Sequence, residues 1–194
     1  MKAISKKHRI LNAATIVFTE KGYHAAKVSD VAKMAGIGKG TVYEYFESKK
    51  EIFEEALIAH FKKGYEEMAE IFNAPVPFKE KLRHYLAFKF DYIASQSSLA
   101  ENFLAHNEFI SVRIKESFIT YMTMYYKKLI ELVDQGIQEE VLRKEIDREL
   151  MAGMIMGISG NYMGAKVLHH QNKTVDYDGV IESLLKGFGK TEED

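Results

Sequence analysis

The sequence predicts an all-α protein: an N-terminal three-helix helix-turn-helix domain over residues 1–48 and a larger helical domain over 49–194, about nine helices in all. Three observations lead there. Only 2 prolines and 13 glycines punctuate 194 residues, so long stretches are free to be helical. Apolar residues recur at helical spacing, and no alternating strand pattern or fixed repeat stands out. Charge is also divided between the parts. Residues 1–50 hold ten Lys/Arg against four Asp/Glu, which is +6, whereas residues 51–194 hold seventeen against twenty-four, which is −7. A basic head on an acidic body suggests a polyanion for the head, against the alternative of a chance cluster on a solvated face.

The elements follow in order. Ile10, Leu11, Ala14, Val17 and Phe18 lie on one face of a helix that Gly22 stops. The basic start (Lys2, Lys6, Lys7, Arg9) resembles that of a signal peptide. Asn12 and Thr15 interrupt the apolar run, however, and Glu20-Lys21-Gly22 stands where a cleavage site is wanted, so a cytoplasmic protein is expected. Short helices near 29–35 and 39–46 flank the Gly36-Ile37-Gly38 break. A long helix from Lys49 to about Phe72 ends at Asn73-Ala74-Pro75-Val76-Pro77. Helices near 78–95, 99–111 and 113–136 come next, then a turn around Gly136 to Leu142, then helices near 146–169 and 177–188. The longest apolar stretch, Leu150–Ala165, contains Ser159 and Asn161 and falls short of the roughly 20 residues of a membrane span, so no membrane partner is expected. Zero cysteines exclude disulfides, thiolate metal sites and cysteine nucleophiles.

Residues 28–47 fit a helix-turn-helix. Val31 and the small Ala32 lie in its first helix, Gly36 sits at the turn where a positive φ is needed, and Ile37 and Val42 face inward to pin the two helices. The second helix, opening at Lys39, would enter the major groove by its N-terminal residues. Lys39 there can donate to guanine, and Thr41 can reach a base edge or a thymine methyl.

Residues 6–53 resemble the DNA-binding domain of the TetR/AcrR family of bacterial transcriptional regulators. The matching features are Ile10–Phe18, Glu20-Lys21-Gly22-Tyr23, Val31-Ala32-Lys33-Met34-Ala35-Gly36-Ile37, Lys39-Gly40-Thr41-Val42-Tyr43-Glu44-Tyr45-Phe46 and Ser48-Lys49. The resemblance implies base readout at Ser29, Lys39, Thr41 and Glu44 and phosphate contact at Tyr43, Tyr45 and Lys49, with Lys27 and Gly40 completing the DNA-facing set. Core packing is the alternative for Tyr43 and Tyr45. Two positions depart from the family pattern. Lys27 stands where a Thr usually begins the second helix, leaving that helix capped by Ser29 or poorly capped, and Gly38 replaces a Ser before the recognition helix.

In the body, Gly153, Gly157, Gly160 and Gly164 fall on one helical face, which suggests a close backbone approach. The resemblance implies a homodimer interface there; tight intrachain packing or a ligand on the bare face are the alternatives. The middle helices are rich in Tyr65, Phe88, Phe90, Tyr92, Phe103, Phe109, Phe118, Tyr121, Met122, Met124, Tyr125 and Tyr126. Most of these belong to a core. Tyr65, Phe88, Tyr92, Phe103, Phe118, Tyr121, Met122, Tyr125 and Asn161 are candidates to line an adaptable apolar cavity for a lipophilic effector, an acyl chain, an acyl-thioester or a drug-like molecule. Arg83, Asn107 and Arg113 are further polar candidates.

The expected function is a ligand-responsive regulator that binds a near-palindromic operator as a homodimer and is released by its effector. Activation is one alternative, and a helical small-molecule-binding protein or enzyme that does not bind DNA is another. No phosphate-binding Gly loop, nucleophile elbow or HExxH pattern is present, and His8, His24, His60, His84 and His106 are scattered. No catalytic residue, metal ligand or cofactor is therefore expected.

Overall fold

The computed structural model describes residues 5–105, 111–159 and 175–188, the side chains of 93–105 excepted. Among the described residues there are eight helices and no strand: α1 Lys6–Ala25, α2 Val28–Ala35, α3 Lys39–Tyr43, α4 Lys49–Asn73, α5 Phe78–Ala105, α6 Val112–Gln138, α7 Arg148–Gly157 and α8 Tyr177–Phe188.

Packing divides the chain into two compact units, Met1–Gly64 with Gln96–Tyr121, and Tyr65–Ser95 with Met122–Asp194. The first unit thus includes more chain than residues 1–48. Its core joins Ile10, Leu11, Ala14, Val17 and Phe18 of α1 to Val31, Ala32, Val42 and Phe46, then to Ile52, Phe53, Ala56 and Leu57 of α4. Ile114, from the first turn of α6, is fully buried in the same cluster. Phe53 packs edge-on against Phe18 at 5.1 Å between centroids, and Tyr23 lies 4.9 Å from the same ring.

Local chemistry accounts for the ends of these helices. Ser5 caps α1, its Oγ accepting from the His8 amide at 3.2 Å. Gly22 (φ 71°) kinks the helix, and one further turn follows before Ala26 donates to the Gly22 carbonyl. Of the two expectations for the start of α2, a Ser29 cap or poor capping, the Ser29 cap is not formed. Asp30 takes that part, its carboxylate accepting from the Lys27 amide at 3.1 Å, because an acidic side chain at the third helical position reaches back to the free amide. At the other end of α2, Gly36 is left-handed (φ 65°, ψ 40°), and the Ile37 and Gly36 amides return to the Ala32 and Lys33 carbonyls. The recognition helix is shorter than expected. It stops at Tyr43, and the Tyr45 and Phe46 amides both close onto the Val42 carbonyl as the chain turns to bury Phe46. Ser48 then caps α4 through the Glu51 amide at 3.1 Å.

In the second unit, Met68 and Phe72 of α4 pack with Phe78, Leu82, Tyr85 and Leu86 of α5, Tyr125, Leu129, Leu132 and Val133 of α6, Met151 and Ile155 of α7, and Ile181 and Leu184 of α8. The helix break expected between 95 and 99 is absent, since α5 runs unbroken through Ser95-Gln96-Ser97-Ser98. These residues weaken a helix by fractions of a kcal/mol each, and neither Pro nor Gly is there to stop it. Gly136 also lies inside α6 rather than in the expected turn. A Cβ there would come within 2.8 Å of Leu142 and 2.9 Å of Phe78, so the glycine permits close packing, and its carbonyl accepts from Val141 and Leu142 as the chain leaves the helix. Of the helix expected over 146–169, residues 148–157 are α-helical; Gly160, Asn161 and Gly164 lie outside the described residues.

Candidate nucleic-acid interface

The first unit collects the candidate residues on one helix pair. Val31, Ala32 and Val42 face the core, and Ala35 and Gly36 make the turn. That leaves Lys27, Ser29, Lys39, Gly40, Tyr43, Glu44 and Tyr45 exposed and Thr41 half-buried. Tyr43 and Tyr45 are 47 % and 40 % exposed, which removes core packing as their role, while Phe46 at 1 % is core. The Lys39 ammonium stands 5.8 Å over the Tyr43 ring one turn on, so cation and phenol share a face. A Cβ built on Gly38 or Gly40 would meet nothing within 4 Å, so the start of α3 presents bare backbone.

Lys49 is disposed differently from the exposed set. Its ammonium donates to the His24 carbonyl at 3.0 Å and lies 4.6 Å over the Tyr23 ring, and burial holds its pKa below the ordinary lysine range. It ties the start of α4 to the end of α1.

Sequence reasoning missed the group that fixes the turn. Arg9 Nη2 donates to the Ala35 carbonyl at 2.6 Å, satisfying a terminal carbonyl of α2. A Cβ on Gly36 would stand 3.2 Å from the same nitrogen. A second missed set lies at the start of α6. Arg113 is ion-paired with Glu55 of α4, and Lys7 of α1 reaches Glu55 at 3.3 Å, beside the buried Ile114. Burial pushes the Glu55 carboxyl up, but the Arg113 and Lys7 contacts together outweigh it and hold the carboxyl below the usual carboxylate range. These contacts join residues far apart in sequence, so periodicity gives no sign of them.

The effector candidates are spread over both units. Tyr65, Phe88, Tyr92 and Met122 are half-buried residues of the second unit, and Tyr125 is part of its core at 6 % exposure. Tyr121 is half-buried in the first unit, where Phe118, 40 % exposed, sits 5.5 Å from Phe61. The side chains of Phe103 and Asn161 lie outside the described residues, as does Asn107. Arg83 is engaged with Asp178 at 2.6 Å and Arg113 with Glu55. Among the described residues no group of three or more His, Asp or Glu is placed to hold a metal, and no helix is long and apolar enough to cross a membrane.

Comparison with known proteins bears directly on this head. Residues 10–56 match the family described as bacterial regulatory proteins, tetR family. The fatty acid metabolism regulator protein of Bacillus subtilis (strain 168) is 29 % identical over 189 residues, which is 92 % of this chain and 93 % of that protein. Residues 10–56 thus carry the N-terminal domain of that family. The crystal structure of the transcriptional regulator FadR from Bacillus subtilis in complex with stearoyl-CoA superposes on this chain with a TM-score of 0.66 at 26 % identity, covering 92 % of this chain and 95 % of that one. The repressor KstR2 of Mycobacterium tuberculosis (strain ATCC 25618 / H37Rv) is 24 % identical over 148 residues, 76 % of this chain and 74 % of that protein. Like these relatives, the protein is a transcriptional regulator.

Proposed function

We propose that this regulator is a cytoplasmic repressor that binds a near-palindromic operator as a homodimer and leaves it when a lipophilic effector, an acyl chain or acyl-thioester, occupies the second unit. The observation that carries the DNA half is the exposed set on α2 and α3. In this reading Ser29, Lys39, Thr41 and Glu44 meet base edges, Tyr43 and Tyr45 meet phosphates, and Gly40 allows close backbone approach, with Lys27 exposed beside them in sequence; what supports it is their exposure and the open space at Gly40. Lys49 supports the head by holding the start of α4 to the end of α1.

Dimer formation is supported by α7. Leu150, Gly153, Met154 and Gly157 fall at i, i+3, i+4 and i+7; Leu150 is 56 % and Met154 36 % exposed, and a Cβ on either glycine would meet nothing within 4 Å. A two-fold operator demands a two-fold protein. The acyl effector is supported by the relationship to the fatty acid metabolism regulator and to the structure that holds stearoyl-CoA. Release needs an element common to sensing and reading. Helix α6 contributes to both cores, with Tyr125, Leu129 and Val133 in the second and Ile114 in the first.

Fluorescence anisotropy on a labelled fragment of the protein's own upstream region, at two salt concentrations and with an unrelated fragment as control, tests the reading. Binding to the upstream fragment alone, weakened by salt and by Tyr43→Phe and reversed by palmitoyl-CoA, is the expected result. Equal binding to both fragments would overturn operator recognition. Binding strengthened by the acyl-CoA would overturn release by the effector.

A further inference from the structure

One cation of the second unit differs from its neighbours. Lys81 donates to Gln135 at 2.8 Å, Arg83 pairs with Asp178 at 2.6 Å, Lys128 with Glu131 at 2.7 Å and Arg148 with Asp134 at 2.6 Å. Lys89 of α5 has no carboxylate or carbonyl partner among the described residues. Its half-buried ammonium instead lies 5.3 Å from the Tyr125 ring and 5.9 Å from the Tyr92 ring. Burial alone depresses its pKa. Two ring faces compensate a desolvated ammonium only in part, and its three donors remain unused.

The buried hydroxyls linked to Tyr125 cannot serve an anion. Ser159 Oγ, fully buried, donates to the Met156 carbonyl at 2.9 Å. It must therefore accept from Tyr85, whose hydroxyl lies 2.7 Å away, and Tyr85 in turn must accept from Tyr125. Each proton of this chain is committed, and the terminal Tyr125 oxygen offers only lone pairs. Of these groups only Lys89 has hydrogens to give. Apolar surface lies close by in sequence and space, with the Phe88 ring 5.7 Å from Tyr92 and Met122 one turn from Tyr125, both packed on the second core.

We propose that Lys89 anchors an anionic headgroup: the effector is an apolar molecule carrying a carboxylate or phosphate, whose oxygen sits on the Lys89 ammonium between the Tyr92 and Tyr125 rings. This rests on the effector-binding reading above and narrows it from lipophilic molecules to anionic amphiphiles. The electrostatics favour the occupant, because an anion there neutralises a cation that has no charged partner among the described residues.

Calorimetry on the full-length protein with palmitate, palmitoyl-CoA and methyl palmitate, which share one chain, tests it. Wild type is expected to prefer palmitate or palmitoyl-CoA over the uncharged ester by roughly ten- to a hundredfold, the span of a charge-assisted hydrogen bond. Lys89→Met and Lys89→Gln lose that preference, and Lys89→Arg keeps it. A Lys89-dependent gain for palmitate identifies a carboxylate anchor, and one confined to palmitoyl-CoA identifies a phosphate anchor. Should Lys89→Met fail to fold, the Gln and Arg variants carry the same comparison. Equal affinities for charged and uncharged chains, or a preference that survives Lys89→Gln, would overturn the anchor while leaving the lipophilic effector intact. If none of the three binds, the acyl-effector reading falls and the anchor with it.

Discussion

Arg9 Nη2 donates to the Ala35 carbonyl at 2.6 Å, tying the first turns of α1 to the last carbonyls of α2 across 26 positions of sequence. The bond holds the end of α2, immediately before the turn, against α1. Arg9→Met is expected to cost about 1.5 kcal/mol of stability, the value of a hydrogen bond from a charged donor, and to lower operator affinity beyond its effect on folding. Urea melts and anisotropy on the same preparations check both. Unchanged operator affinity would reduce Arg9 to a surface residue.

Gly36 and Gly38 flank Ile37 but predict opposite outcomes. Gly36→Ala forces a side chain into φ 65° and to 3.2 Å from Arg9, and about 1–2 kcal/mol of destabilisation is expected. Gly38→Ala enters open space with extended backbone (φ −70°, ψ 148°) and should leave the melting curve within about 0.5 kcal/mol of wild type. Thermal melts of the two variants side by side decide.

Glu55 sets an acid dependence. Its carboxyl is lowered in the folded protein, so its contribution is present above the ordinary carboxylate pKa and is lost as pH falls through the lowered value. Glu55→Gln should be less stable than wild type by about 0.5–1 kcal/mol at pH 7, modest because Arg113 is 55 % exposed, and the gap should close on acidification. A gap that widens at low pH would contradict the assignment.

The hydroxyl chain in the second core makes an asymmetric prediction. Ser159→Ala removes the acceptor of Tyr85, a fully buried phenol, and should cost about 1–3 kcal/mol. Tyr125→Phe removes only the chain's outer donor and should cost about 1 kcal/mol, since Tyr85 still donates to Ser159. Equal costs would mean that the protons run the other way.

The helix-turn-helix was legible because its demands are local. A small residue at Ala32, a left-handed turn at Gly36 and apolar Val31, Ile37 and Val42 all fall within a dozen positions, and the structure has each as expected. Long contacts were not legible. Nothing in the spacing of Arg9 tells that it reaches Ala35, nor in that of Ile114 which of two cores it enters, since helical periodicity reports a buried face and not what buries it. The break expected between 95 and 99 is not there, because Ser and Gln weaken a helix without stopping it. Lys89 escaped notice for a related reason: a lysine in a helix reads as surface until its neighbours prove to be rings.

Ile114 also bears on how such proteins recombine. Its side chain, fully buried among α1 and α4 residues, is supplied by chain far downstream of the DNA-reading helices. A head excised at Ser48, or grafted onto another body there, would arrive without any of α4 and without this plug, whose loss alone leaves a void of the kind that costs about 2–5 kcal/mol when an isoleucine is truncated to alanine. A working chimera of this regulator must therefore transplant the opening turn of α6 along with the head, so that the exchangeable module is discontinuous in the gene.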